Sequence, residues 1–150
     1  MKGNVAIIGC GTVGTALARL LGKAGYSIAG VSSTDARKAE RIAQHLGARR
    51  SSALPWQVTH SADLVLITTP DDLIQSTCQS IASKDGFDEG AVVAHCSGAH
   101  PSTILESARG CNASIVSIHP LQTFASAEQA EALVPGSYFA IEGDPAAMPV

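Results

Sequence analysis

Close to the start of the chain, Gly9-Cys10-Gly11-Thr12-Val13-Gly14 follows the apolar run Val5-Ala6-Ile7-Ile8 and precedes Thr15-Ala16-Leu17-Ala18. Glycines at G-x-G-x-x-G spacing, set between a strand pattern and a helix pattern, suit one chemistry, the seating of a pyrophosphate. The first glycine permits a tight turn, the second lets backbone approach the phosphates, and the third lets the helix pack close to the strand. The helix N-terminus adds free N–H groups and the positive end of its dipole. These residues imply a dinucleotide-binding turn over Gly9, Cys10, Gly11, Thr12, Val13 and Gly14, with Cys10 a tolerated small residue. The competing reading is a glycine-rich turn that holds no ligand.

A second group lies about 20 residues further on, where an NAD site usually carries Asp or Glu for the ribose hydroxyls. Here Ser32, Ser33 and Thr34 stand instead, followed by Asp35, Arg37 and Lys38. Small hydroxyls and cations suit a 2′-phosphate, because they donate hydrogen bonds and supply countercharge. The residues therefore favour NADP over NAD. Asp35 pulls the other way if it turns toward the ribose diol; as an acidic residue opening a helix it needs no ligand at all. Thr68-Thr69-Pro70 should bring backbone close to the cofactor, with the Thr69 hydroxyl free for the ligand or spent on the following helix.

Proton transfer needs a different residue type. An imidazole, with an ordinary pKa near ~6.5, holds or releases a proton close to neutrality. His119, before Pro120, is the candidate carrier, and Ser97 could orient its ring or bind a carboxamide. A packed, purely structural His119 is equally consistent with the residues. His60, His95 and His100 read as structural, and Cys96 lacks an activating neighbour in sequence.

Positioning these groups requires alternating strands and helices, and the apolar periodicity supplies them. Strand patterns cover Val5 to Ile8, Ser27 to Val31, Arg49 to Ser51, Asp63 to Thr68, Ala91 to His95, Ser114 to Ile118 and Tyr138 to Ile141. Helical spacing joins Val13 to Ala24, with Gly25 as a stop, and Ala36 to Leu46, closed by Gly47. A third helix opens at Pro70 with Thr69 as its cap and buries Leu73, Ile74, Thr77, Cys78 and Ile81. A fourth runs from Ser102 to Arg109 and ends at Gly110. Ser126 and Gln129 form a capping box for a short one. This alternation predicts the α/β class: a doubly wound, mostly parallel sheet of the Rossmann NAD(P)-binding kind. Ligands bind beyond the carboxyl ends of such strands, and all the groups above fall there.

Composition agrees. The 150 residues are 45% hydrophobic but only 4% aromatic, so the core must be built from Ala, Val, Ile and Leu. A net charge of −3 without a basic stripe argues against nucleic acid as a partner. No apolar run is long enough for a bilayer, and no signal-peptide pattern opens the chain, so a cytoplasmic protein is expected with no membrane partner. Cys10, Cys78, Cys96 and Cys111 are scattered, implying reduced thiols and no metal site. Residues 1–143 read as the dinucleotide-binding domain. Asp144-Pro145-Ala146-Ala147 looks like the start of a helix over 144–150, leading to a further domain; a naturally short protein is the alternative.

Three stretches carry a resemblance: His95-Cys96-Ser97-Gly98-Ala99, then Ser117-Ile118-His119-Pro120-Leu121-Gln122-Thr123-Phe124, then Pro135-Gly136-Ser137-Tyr138-Phe139-Ala140-Ile141-Glu142-Gly143. The chain resembles a family of Rossmann-like oxidoreductases in which a dinucleotide-binding domain precedes a helical DUF2520 domain. It is similar, more distantly, to pyrroline-5-carboxylate reductase, prephenate dehydrogenase and 6-phosphogluconate dehydrogenase. The resemblance implies NAD(P)-dependent hydride transfer on a small-molecule substrate enclosed between two domains, the helical one mediating a homodimer. Ser97 and His119 occupy the positions of a serine and a histidine that serve the reacting hydroxyl in the prephenate dehydrogenase relatives; the substrate does not carry over. A Rossmann module that senses a nucleotide without turnover is the competing class, and a pocket for a non-redox nucleotide is a third.

Overall fold

The structure, a computed structural model, describes residues 2–149. Seven strands form one sheet in the order β3-β2-β1-β4-β5-β6-β7. In chain order they are β1 Asn4–Ile8, β2 Ser27–Ser32, β3 Ser51–Ser52, β4 Leu64–Ile67, β5 Val92–His95, β6 Ser114–Pro120 and β7 Phe139–Gly143. All pairings are parallel except β6 with β7. The helices are α1 Thr12–Lys23, α2 Ala36–Leu46, α3 Ile74–Ala82 and α4 Ala127–Leu133. The chain leaves β1 toward β2 on one side and returns to β4 on the other. That reversal opens a crevice at the carboxyl ends of β1 and β4.

Period-two alternation sends apolar side chains to both faces, as a covered parallel sheet demands. Ala6, Ile8, Val65, Ile67, Val93 and Ile115 face α3 and the segment after β5, while Val5, Ile7, Leu64, Leu66, Val92 and Val116 face α1 and α2. Burying each Val, Leu or Ile contributes roughly 1.5–3 kcal/mol. With few aromatics, alanines such as Ala16, Ala18 and Ala39, all fully buried, let helices approach the sheet closely.

Local departures from the sequence reading have physical causes. The third helix does not open at Pro70. Pro70 is extended (φ −51, ψ 148), a 3₁₀ turn covers Asp71–Leu73, and α3 begins at Ile74. The Leu73 N–H donates to the Pro70 carbonyl at 2.9 Å, so Thr69 lies too far back to cap anything. Leu73 is exposed rather than inward, and Ile74, Cys78 and Ile81 form the buried face. Ser102–Cys111 is 3₁₀ rather than α-helical and runs past Gly110 to a left-handed Asn112 (φ 58). Pro145–Ala147 make one 3₁₀ turn; Asp144 spends its carboxylate on the Arg109 guanidinium and on the Ile115 N–H at 2.9 Å instead of capping. Val150, the last position of that segment, lies outside the described residues. Ser126 caps α4, accepting from the Gln129 N–H at 3.1 Å, but the Gln129 side chain reaches one residue further back and accepts from the Ala125 N–H instead of the Ser126 N–H, so only half of the expected capping box forms.

Candidate functional site

The crevice between β1 and β4 is a cleft of about 540 Å³, within the range of small-molecule and cofactor sites. Its wall is built from strand ends. Gly9, Cys10 and Gly11 follow β1, Ser32 closes β2 with Ser33 and Thr34 after it, and Thr68, Thr69 and Pro70 follow β4. Thr12, Val13 and Gly14 open α1 directly behind. Its first intrahelical bond comes from Thr15 N–H to Gly11 O at 3.0 Å, so the preceding amides point toward the cleft end without an i−4 partner.

The glycines differ in what they do. A Cβ at Gly9 (φ +106) would lie 2.7 Å from the Thr68 carbonyl, and one at Gly14 would lie 2.3 Å from both the Gly9 oxygen and Thr68 Oγ1. Only glycine allows β1, α1 and β4 to meet this closely. A Cβ at Gly11 would meet nothing within 4 Å. The space above Gly11 is therefore open for a ligand rather than for protein. Thr68 locks the turn, donating from Oγ1 to the Gly9 carbonyl at 2.8 Å.

Thr69 is the unsatisfied member. Its Oγ1 is buried and has no hydrogen-bond partner. An unmade buried hydroxyl costs about 1–3 kcal/mol, and a cradle with an orphaned hydroxyl fits a cofactor that supplies the missing bond.

On the β2 side, Asp35 caps α2, accepting from the Lys38 N–H at 3.1 Å. Ser33 Oγ accepts from the Asp35 N–H at 3.3 Å. Among the described residues the lining includes no carboxylate, and Lys38 is its one charged member. Lys38 is also close enough to Cys10 to oppose the rise that burial imposes on that thiol. Arg37, named from the sequence, is exposed and off the wall; the cation on the wall is its neighbour. Helix phase decides this, since adjacent residues of a helix point about 100° apart. Ser76, Thr77 and Ser80 of α3 also line the cleft. Their hydroxyls recur at helical spacing, and Thr77, expected on the buried face of this helix, turns to the cleft instead.

Ser97 and His119 lie together in a second pocket of about 380 Å³, between the loop after β5 and the strands β6 and β7. His119 is not oriented by Ser97. Its Nδ1 is 3.2 Å from the Cys96 carbonyl, while Ser97 Oγ accepts from the Ala99 N–H at 3.1 Å. A carbonyl only accepts, so Nδ1 carries the proton and Nε2 is left for exchange. Glu142 on β7 binds both the N–H and the hydroxyl of Ser102 and closes the far side of the pocket. Burial drives the Cys96 thiol up to about 12, leaving it un-ionised and inert.

Comparisons with known proteins agree with this fold. A model of the Rossmann-like domain matches residues 1–120. Among curated proteins no match is found. Among solved structures, a Bacteroides fragilis protein provisionally named an NADP oxidoreductase is 26% identical, with a TM-score of 0.77 over 95% of this chain and 52% of its own. Pyrroline-5-carboxylate reductase from Coxiella burnetii is 16% identical (TM-score 0.76, 97% of this chain, 51% of that one). Prephenate dehydrogenase from A. aeolicus, solved with hydroxyphenyl propionate and NAD⁺, is 14% identical (TM-score 0.73, 97% and 52%). The last two share the fold. The chain spans about half the length of the structures it matches.

Proposed function

The chain belongs to the Rossmann-like domain family, and from that premise we propose that it is the cofactor-binding half of an oxidoreductase using NADP in preference to NAD on a small molecule. One observation carries this reading. The open space at Gly11, the first amides of α1 and the Lys38 side chain converge on one cleft with no carboxylate on its wall among the described residues. A pyrophosphate needs the amides and the room. A 2′-phosphate needs hydroxyl donors and a cation, which Ser32, Ser33, Thr34 and Lys38 provide, while Asp35 is engaged at the start of α2.

When bound, the nicotinamide supplies the two-electron hydride chemistry. The chain's own part is the proton. His119, with Nδ1 held by the Cys96 carbonyl, accepts or delivers a proton at Nε2 toward a substrate oxygen or nitrogen in the second pocket. Ser97 keeps its hydroxyl proton available for the carboxamide or the substrate. Gly9 to Gly14 and Thr68 to Pro70 orient and dehydrate the phosphate end. The half-length coverage and the resemblance to the DUF2520 oxidoreductases support the rest: a helical second half that completes the substrate site and forms a homodimer.

The test is a titration of the chain with NADPH and with NADH, followed by Trp56 fluorescence and by melting temperature. Trp56 follows Pro55 on the cleft wall and packs on the core. A larger response to NADPH is expected. Equal responses would remove the phosphate argument, and no response to either would leave a Rossmann domain without a dinucleotide.

A further inference from the structure

We infer that His95 is a positioning residue for His119, acting through the single peptide group that joins Cys96 to Ser97. The inference rests on the reading of His119 as the proton carrier. His95 closes β5 and His119 lies near the end of β6, both on the sheet face of Val93 and Ile115. His95 is 0% exposed, so both its ring nitrogens need partners. Nδ1 is 3.1 Å from the Ser97 N–H, and Nε2 is 3.2 Å from the Pro101 carbonyl. An amide only donates and a carbonyl only accepts, so the ring is neutral with its proton on Nε2. Burial, which lowers its pKa, favours that same neutral form.

The Ser97 N–H and the Cys96 C=O belong to one planar trans peptide and point in opposite directions. The nitrogen end of that plane is held by His95 and the oxygen end by His119 at 3.2 Å. The two bonds cannot be changed separately. Rotating the plane to release one imidazole releases the other, and each bond polarises the peptide in favour of its partner. Ser97 is 8% exposed, so its N–H, deprived of the His95 acceptor, has little water to turn to. The plane would swing to satisfy it and carry the Cys96 oxygen away from His119. Glu142 anchors Ser102 beside Pro101 and so holds the other end of the His95 clamp in place.

Side-chain nitrogen NMR on the labelled chain tests this without any substrate. His119 should be in the Nδ1–H form, and a coupling across the Ser97 N–H to His95 Nδ1 bond should be present. His95→Asn, whose Oδ1 stands where Nδ1 stood, should preserve the His119 tautomer. His95→Gln, which keeps only the donor to Pro101, should lower the Nδ1–H to Nε2–H ratio at His119 by roughly three- to tenfold, the size of one neutral hydrogen bond. An unchanged ratio in His95→Gln overturns the inference, as does an Nε2–H His119 in the unaltered protein. If His95→Gln does not fold, the cross-bond coupling decides, and its absence is fatal. The proton-carrier reading fails on a different result, an unchanged turnover after His119→Ala in the enzyme that contains this domain.

Discussion

Gly98 and His119 touch with no space to spare: a methyl group built on Gly98 would fall 2.4 Å from Nε2 of the imidazole and 2.6 Å from Cε1. The glycine of the Ser97-Gly98-Ala99 segment is therefore there for the histidine, not for a turn. Gly98→Ala should displace the His119 ring and cost about 1–3 kcal/mol, the usual penalty for overfilling a packed site. The phosphate-binding turn at Gly9 to Gly14 lies elsewhere, so NADPH affinity should stay within about twofold of the parent, well under 1 kcal/mol. Thermal unfolding and the NADPH titration check both halves. Unmoved His119 ring signals in the variant would show that the contact is slack.

Much of this arrangement is legible in the residues, and the illegible part has a common cause. The strands, the glycine turn and the Ser126 cap of α4 depend on near neighbours, and local sequence pattern reveals them. What escapes depends on phase or register. Whether Arg37 or Lys38 reaches the cleft depends on where α2 begins, and that is set by the Asp35 cap. Ile104, Leu105 and Ala108 suit a 3₁₀ segment as well as an α-helix, so their spacing does not separate the two. The peptide shared by His95 and His119 depends on the parallel register that puts His95 opposite Ser117. No pattern along the chain encodes that pairing.

Lys38 and Arg37 make a discriminating pair for cofactor choice. Lys38→Ala removes the only cation among the described residues of the cleft wall and should weaken NADPH about tenfold, close to the range for a charge-assisted hydrogen bond. NADH, which lacks the 2′-phosphate, should lose less. Arg37→Ala should leave both affinities alone, because its guanidinium lies in solvent away from the wall. Calorimetric titration of the two variants with both cofactors decides the matter. A larger loss from Arg37→Ala would mean that the guanidinium folds back over a bound phosphate.

His95 sets a sign for pH dependence. Burial lowers its pKa below the ordinary imidazole value, against the opposing pull of the Pro101 carbonyl, Glu142 and Asp71, while His100 pushes the same way as burial. The folded state binds this proton less readily than the unfolded chain does, so stability is complete above the unfolded pKa of ~6.5 and falls as the pH drops through and below it. Protonated Nδ1 cannot accept from Ser97, and the bond to the Cys96–Ser97 peptide goes with it. Urea midpoints at pH values between about 7.5 and 5 should decline for the parent and less for His95→Asn. Asp144, Glu128 and Glu131, whose pKa values are lowered chiefly by Arg109, by a backbone N–H and by Lys23 respectively, contribute their own losses only in stronger acid. Parallel curves for parent and variant down to pH ~5 would show that His95 is not the group responsible.

Thr69→Val separates what stabilises the empty domain from what serves its ligand. Valine keeps the shape of threonine and removes a buried hydroxyl that has no partner, so the unliganded protein should gain about 1 kcal/mol or more. For a chain of this size that is a rise of roughly 2–4 °C in melting temperature. The same change should weaken NADPH, because the nucleotide then finds a methyl group where it would have met a donor. Opposite shifts, a higher melting temperature without cofactor and a smaller increment with it, are expected from one variant in one thermal series. A lower melting temperature without cofactor would mean that water already satisfies the hydroxyl. The orphaned atom would then be no guide to the ligand, and the case for the cleft would rest on Gly11, Lys38 and the amides of α1 alone.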